Sequence, residues 1–363
     1  LTKGGKRKLG PGGRIRVLVV DDSVIIRRLV THALTEDPQV ELVGSAANGA
    51  IALKMIPLLK PDAITLDIEM PEMDGLETLR HIRKSYPDLI VIMFSTLSER
   101  GAAITMRALS LGANDYVAKA AGGSLDQSMA LLRSELAPKL KQFFSLADET
   151  AAVLPAPKPP LPEGAVLRRV ARTCEAVAIG VSTGGPNALA QLVPMLPADF
   201  RPPVFIVQHM PPLFTRLLAE RLQSLTTLRV REAADGMAVE ERNLYIAAGN
   251  YHMRVSRRGA AKVVIALDQG EPENSCRPAV DVLFRSVAEV YGGSAIGVIL
   301  TGMGQDGLLG VERLREAGGY IVAQDEASSV VWGMPGAVVH AGLADAVVDL
   351  RCLAFEIERH LRG

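Results

Sequence analysis

From Arg14 to about Phe144, short apolar runs alternate with longer amphipathic segments. The runs R-V-L-V-V, E-L-V-G-S-A, A-I-T-L-D, L-I-V-I-M-F-S and D-Y-V-A-K read as strands. Each is followed by a segment of helix length, among them Ser23 to Leu34, Gly75 to Ser85 and Leu125 to Phe144, the last with leucines spaced to cover one face. Strands that alternate with helices predict a parallel sheet covered on both faces.

The pattern stops at D-E-T-A-A-V-L-P-A-P-K-P-P-L-P-E-G, where prolines exclude helix and favour an extended, semi-rigid chain. Apolar runs then resume: A-V-A-I-G-V-S, P-V-F-I-V-Q-H, L-R-V-R-E, N-L-Y-I-A-A-G, K-V-V-I-A-L-D, A-I-G-V-I-L-T and Y-I-V-A-Q-D. The expected organisation is two doubly wound α/β domains, at 14–145 and 171–363, joined by a proline-rich linker at 146–170. The second carries a β-hairpin excursion near residues 243 to 267. A chain of 363 residues is long enough for two separate cores.

Composition narrows the class of partner. Forty basic residues balance 40 acidic ones, so no global field favours nucleic acid or an anionic membrane. No basic recognition helix follows the first domain, which sets aside a transcription factor. No apolar run approaches the roughly 18 residues a membrane span needs, and the opening L-T-K-G-G-K-R-K lacks the apolar core of a signal peptide. Three widely spaced cysteines, Cys174, Cys276 and Cys352, fit neither a disulfide framework nor a CxxC metal site, so a cytoplasmic location without membrane insertion is expected.

In the first domain, Asp21, Asp22 and Asp67 fall at strand C-terminal ends, with Lys119 ending the last strand. Ligand sites of open parallel sheets lie at that edge. Carboxylates gathered there suit a hard divalent cation such as Mg²⁺, beside which a phosphoryl group can approach the Asp67 carboxylate as nucleophile. A single acid at a strand end is more often a solvated loop residue or a helix cap; four matched positions change the balance. With Met70-Pro71 and Asp74-Gly75 after Asp67, this segment resembles the receiver domain of bacterial response regulators.

That resemblance implies a flavodoxin-like fold with Asp67 as phosphoacceptor and Asp21, Asp22 and Asp67 as the Mg²⁺ side. It also implies Ser95 as the hydroxyl after the fourth strand, Lys119 as the phosphate-contacting ammonium and Tyr116 as the aromatic switch residue. One departure is Lys119-Ala120, where the family has Lys-Pro with a cis bond; cis before alanine costs about 2.5 to 4 kcal/mol.

In the second domain, G-V-S-T-G at Gly180 to Gly184 matches the G-x-S-x-G nucleophile elbow, after a strand and before a helix. On these residues alone Ser182 reads equally as a nucleophile, a helix cap or part of a phosphate-binding turn. A nucleophilic serine needs a base and an orienting acid. Of six histidines, His209 ends the strand V-F-I-V-Q-H and is the best base; His252 competes from what reads as a hairpin turn, and His340 reads as a buried structural imidazole. Asp306, in L-T-G-M-G-Q-D-G, is the candidate acid and also reads as the N-cap of the next helix. The glycines of that loop permit the Met303 backbone N–H to point at a developing oxyanion.

The order Ser182, His209, Asp306 differs from that of α/β-hydrolases. From about Glu175 onward the chain is similar instead to the catalytic domain of the chemotaxis protein-glutamate methylesterases, the CheB family. The carrying motifs are I-G-V-S-T-G-G-P, Q-H-M-P-P-L-F-T-R-L-L-A-E-R-L, Y-I-A-A-G-N-Y-H-M, R-P-A-V-D-V-L-F-R-S-V-A and L-T-G-M-G-Q-D-G. Departures are Ala247-Ala248-Gly249-Asn250, where the family commonly has A-P-G-D, and Gln305, where an acid is common.

The resemblance implies a Rossmann-like esterase domain that demethylates glutamate methyl esters on methyl-accepting chemoreceptors, releases methanol, and deamidates receptor glutamines. It implies no cofactor for the esterase site and a histidine kinase of the CheA type as phosphodonor to Asp67. The competing reading is a receiver-gated signalling adaptor with an inactive esterase fold, in which Ser182 only caps a helix.

Overall fold

The computed structural model describes residues 13–96, 98–119, 125–144, 174–259 and 262–361. The expected linker at 146–170 and Ala120, the partner of Lys119 in the Lys-Ala bond, lie outside the described residues. The chain divides into two compact units, each taken here by itself.

The first unit runs β1 (Ile15–Val20), α1 (Val24–Thr35), β2 (Val40–Ala46), α2 (Gly49–Leu59), β3 (Ala63–Asp67), α3 (Gly75–Ser85), β4 (Ile90–Thr96), α4 (Glu99–Ser110), β5 (Asp115–Lys119) and α5 (Leu125–Gln142). Its sheet is wholly parallel in the order β2-β1-β3-β4-β5. Local chemistry sets the helix starts. Ser23, Asn48, Asp74 and Ser98 each accept a backbone N–H of the first turn with the side chain, as capping residues do. In α3, Leu76, Leu79 and Ile82 recur at intervals of three and are buried, which turns that face to the sheet. The strand order reverses between β1 and β3, so their C-terminal ends open the crevice in which such sheets bind ligands.

The second unit runs β6 (Ala176–Val181), α6 (Gly185–Leu192), β7 (Val204–Gln208), α7 (Phe214–Gln223), β8 (Arg229–Glu232), β9 (Asn243–Ile246), β10 (His252–Arg258), β11 (Lys262–Asp268), α8 (Val280–Tyr291), β12 (Ala295–Ile299), α9 (Leu308–Glu316), β13 (Tyr320–Gln324), α10 (Met334–His340), β14 (Ala346–Val348) and α11 (Leu353–Leu361). Seven parallel strands are ordered β14-β13-β12-β6-β7-β9-β8. The central strands β6, β7 and β12 are buried along their whole length, as continuous apolar runs require.

Three expectations need correction. The hairpin is β10 paired with β11, whereas β9, placed inside the excursion by the sequence, joins the main sheet beside β7. The edge strand β14 was not foreseen; its three residues are too short to give a pattern. His340 is exposed rather than buried, its ring set edge-on to Trp332. No helix among the described residues is long and apolar enough to cross a membrane.

Candidate active site and phosphoacceptor pocket

The switch point of the second sheet lies between β6 and β12, and the three expected residues gather around it. Ser182 follows β6, His209 follows the adjacent β7, and Asp306 lies in the loop after β12. Val181 and Gln208 are register partners, so Ser182 and His209 leave neighbouring strands at the same level; the His209 N–H donates to the Val181 carbonyl at 3.3 Å.

Ser182 caps no helix. The N-cap of α6 is Gly184, at φ 78°, with no side-chain capping bond. The loop is held instead by the segment just after β12: Ser182 N–H donates to the Thr301 carbonyl at 3.0 Å, and Thr301 Oγ1 donates to the Thr183 carbonyl at 2.9 Å. Thr301 N–H in turn donates to buried Gln324. Gly302 has no room for a side chain, since a Cβ there would stand 2.4 Å from Met334 Sδ and 2.8 Å from Ser182 Cβ. Met303, the expected oxyanion donor, follows directly, with its side chain largely exposed.

His209 Nε2 donates to Asp306 Oδ2 at 2.7 Å, with side-chain exposures of 13% and 3%. Burial disfavours the charged ring, but the hydrogen bond to Asp306, with Cys276 close by, outweighs it and raises the His209 pKa. No hydrogen bond joins the Ser182 hydroxyl to His209 among the described residues. Contacts of that kind commonly tighten only around bound substrate.

Asp306 is a cap, though of a different helix from the one expected. The N-cap of α9 is Gly307, while the Asp306 carboxylate accepts Val280 N–H at 2.7 Å and Asp281 N–H at 3.1 Å, the first two amides of α8. Burial pushes its pKa up; the His209 contact and these amides overcome that and hold it below the usual carboxylate value.

Further residues pack around these three. Asn274 and Ser275, at φ 51° and 61°, make a two-residue turn between bridged Glu273 and Cys276, the pattern of a type I′ hairpin. The turn delivers Asn274 Nδ2 to Asp306 Oδ1 at 3.0 Å and to Asp281 Oδ2 at 2.9 Å, and brings Cys276 to His209. Asp281 is buried and accepts Gly310 N–H at 2.6 Å; burial and the neighbouring Asp306 charge raise its pKa. Gln208 donates to the Ser182 carbonyl at 3.0 Å. The rival base, His252, opens β10, accepts Ala279 N–H on Nδ1 at 3.3 Å and has Nε2 2.9 Å from the Glu271 carbonyl, a structural imidazole spent on backbone.

In the first unit, Asp21, Asp22 and Asp67 present carboxylate oxygens within 4.8 Å of one another. Lys119 Nζ bridges them, 2.9 Å from Asp21 and 2.7 Å from Asp67. Burial, reinforced by Asp21 and opposed by Lys119, raises the Asp67 pKa to about 6. An all-oxygen cluster that crowds negative charge fits a hard divalent cation. Ser95 is buried one position beyond the residue that pairs with Asp67; its hydroxyl accepts from Thr105 Oγ1 at 2.6 Å and donates to the Thr96 carbonyl at 3.1 Å, so it is turned to those partners rather than to Asp67. Tyr116 is buried in β5, with the Lys139 ammonium 5.2 Å from its ring centroid.

Comparison with known proteins agrees with this division. The family model for CheB methylesterase matches residues 177–357, and that for the response regulator receiver domain matches residues 17–127. The chain is 51% identical over 359 residues to the protein-glutamate methylesterase/protein-glutamine glutaminase of Trichodesmium erythraeum (strain IMS101), which covers 96% of this chain and 99% of that one. It is 47% identical over 351 residues to the protein of the same name from Nocardioides sp. (strain ATCC BAA-499 / JS614), covering 96% and 95%. Among solved structures, the Thermotoga maritima CheB methylesterase catalytic domain is similar with a TM-score of 0.50 and 41% identity, over 53% of this chain and 99% of that chain.

Proposed function

The chain belongs to the CheB methylesterase family, in the form with a receiver domain ahead of the esterase, and from that premise we propose that Ser182, His209 and Asp306 are its catalytic residues. The protein is a phosphorylation-regulated protein-glutamate methylesterase with protein-glutamine glutaminase activity. We place its receiver at 14–145, its linker at 146–170 and its esterase at 171–363. Its substrates are methylated chemoreceptors, its phosphodonor is a histidine kinase of the CheA type, and it works in the cytoplasm.

The observation that carries the site is the His209–Asp306 pair, 2.7 Å apart on the strand ends that flank Ser182. Because Nε2 is committed to Asp306, Nδ1 is the nitrogen that takes the Ser182 proton. Ser182 Oγ then attacks the side-chain ester carbonyl, and the Met303 N–H faces the oxyanion. His209 returns the proton to the leaving methoxide, methanol departs, and the same nitrogen activates the water that frees the glutamate. With a glutamine substrate the leaving group is ammonia and the remaining steps are unchanged. Asp306 stabilises the imidazolium.

Control resides in the receiver. Asp21, Asp22 and Asp67 would hold Mg²⁺, which neutralises charge on the phosphoryl group when bound. Asp67 supplies the acceptor oxygen, and Lys119 supplies a positive charge beside it. The adaptor reading is not favoured, because Ser182 caps no helix.

A fluorophosphonate probe tests the assignment: labelling at Ser182 that is lost in His209→Ala supports it, and labelling that survives refutes it. Methanol release from methylated receptor should rise on addition of acetyl phosphate in the wild type and stay flat in Asp67→Asn.

A further inference from the structure

Gln208 interrupts a rule. It ends V-F-I-V-Q, a central strand otherwise made of buried apolar residues, and it is itself only 3% exposed. Its Nε2 donates both to the Ser182 carbonyl at 3.0 Å and to the His209 carbonyl at 3.3 Å. Its Oε1 is buried with no hydrogen-bond partner among the described residues. Flipping the amide would bring that oxygen against two carbonyl oxygens, so the orientation is fixed.

An interior amide with an orphan acceptor is costly, and an apolar residue of the same volume would avoid the cost. The two donors therefore explain its presence. The ladder between β6 and β7 ends at the 3.3 Å bond from His209 N–H to the Val181 carbonyl. Beyond it the two chains turn away, and the Gln208 amide supplies one more rung. Gly185 makes the space: a Cβ there would fall 1.9 Å from Oε1.

We propose that Gln208 is a positioning residue, a side-chain clamp that fixes the peptide groups of Ser182 and His209 relative to each other, with Gly185 as its required void. The clamp rests on the assignment of Ser182 and His209 above. It touches no substrate, so its loss lowers kcat and leaves KM nearly unchanged.

The test uses the full chain with Gln208→Leu, which removes both donors, and Gln208→Glu, which keeps the shape but turns an oxygen toward the two carbonyls. The readouts are the fluorophosphonate labelling rate at Ser182, kcat and KM for methanol release, and the melting temperature. Labelling rate and kcat should fall together by about tenfold or more, the scale of misplaced catalytic groups, with KM within about twofold of wild type. A folded Gln208→Leu with labelling and kcat within about twofold of wild type overturns the clamp.

Gly185→Ala approaches the same amide from the other side. Its Cβ would also stand 2.6 Å from Val181 Cγ2, a contact common to both backgrounds, so it should slow labelling in the wild type and cost clearly less in a Gln208→Ala background, where only that contact remains; an equal cost in both backgrounds overturns the clamp even if Gln208→Leu does not fold. Absence of Ser182 labelling in the wild type overturns the site assignment and the clamp with it. Wild-type labelling that the Gln208 variants match overturns the clamp alone.

Discussion

Asp306→Asn is the substitution for which the structure gives the sharpest expectation. All four partners of the carboxylate are donors: His209 Nε2 and Val280 N–H on one oxygen, Asn274 Nδ2 and Asp281 N–H on the other. Whichever way the introduced carboxamide turns, its NH₂ meets two of them, and each buried donor left unpaired costs about 1 to 3 kcal/mol. The cheapest escape is for His209 to move its proton from Nε2 to Nδ1 and accept from the new NH₂. That tautomer closes off the nitrogen that, in the proposed mechanism, takes the proton of Ser182. A triad with the wrong tautomer loses about 10⁴ in kcat, as known for the trypsin-type enzymes, or about 5.5 kcal/mol at 1.36 kcal/mol per tenfold. The assay is single-turnover methanol release from methylated receptor, with circular dichroism to verify the fold. A folded variant that keeps more than about a tenth of wild-type kcat would refute the tautomer argument.

Further outcomes are expected at Cys276, Asp67 and Gly302. Cys276→Ala removes one of the contacts that raise the His209 pKa, so the acidic limb of the kcat/KM profile should move to lower pH; an unmoved or rising limb contradicts the contact. The Asp67 carboxyl, followed by carbon-13 NMR, should titrate near pH 6 without metal and lower with Mg²⁺. Its ionised form carries a penalty of about 3 kcal/mol, taken from the rise from 3.8 to about 6, that is present above pH 6 and absent below 3.8. Asp67→Asn should accordingly stabilise the metal-free receiver at pH 7 and hardly at all at pH 3.5, and equal gains at both would count against the penalty. Gly302→Ala should cut methanol release by about tenfold or more, because its Cβ would press on Ser182; full activity would show that the loop yields.

Much of this was legible in the chain because both sheets are parallel. Buried strands such as A-V-A-I-G-V and A-I-G-V-I are continuous apolar runs, and a polar residue at the end of such a run stands at the functional edge. Ser182, His209, Asp21 and Asp67 stand out in that way, whereas Asp306, in the loop after β12, is read from the glycine-rich L-T-G-M-G-Q-D-G. Asn274 and Cys276 did not, because their role depends on two consecutive residues with positive φ, and N-S is a weak signal for that turn. Asp281 reads as an ordinary first-turn acid of an amphipathic helix, and only the packing of α8 against α9 buries it. Gln208 did leave a trace, a polar residue where the strand pattern asks for an apolar one. Asp306 was recognised as a cap, but the helix it caps is one that precedes it in sequence, which no local pattern encodes.

The placement of β12 beside β6 makes the esterase a late product of its own synthesis. Ala176 pairs with Ala295, so the strand that presents Ser182 waits for a neighbour more than a hundred residues downstream. Until β12 inserts, Thr301 cannot hold the serine loop and Asp306 cannot reach His209. Helices and the β6–β7 pair can form earlier, since contacts distant in sequence close last. During refolding, hydrolysis should therefore lag the recovery of secondary structure, and a chain cut short before Ala295 should show no esterase activity however well its first strands have formed.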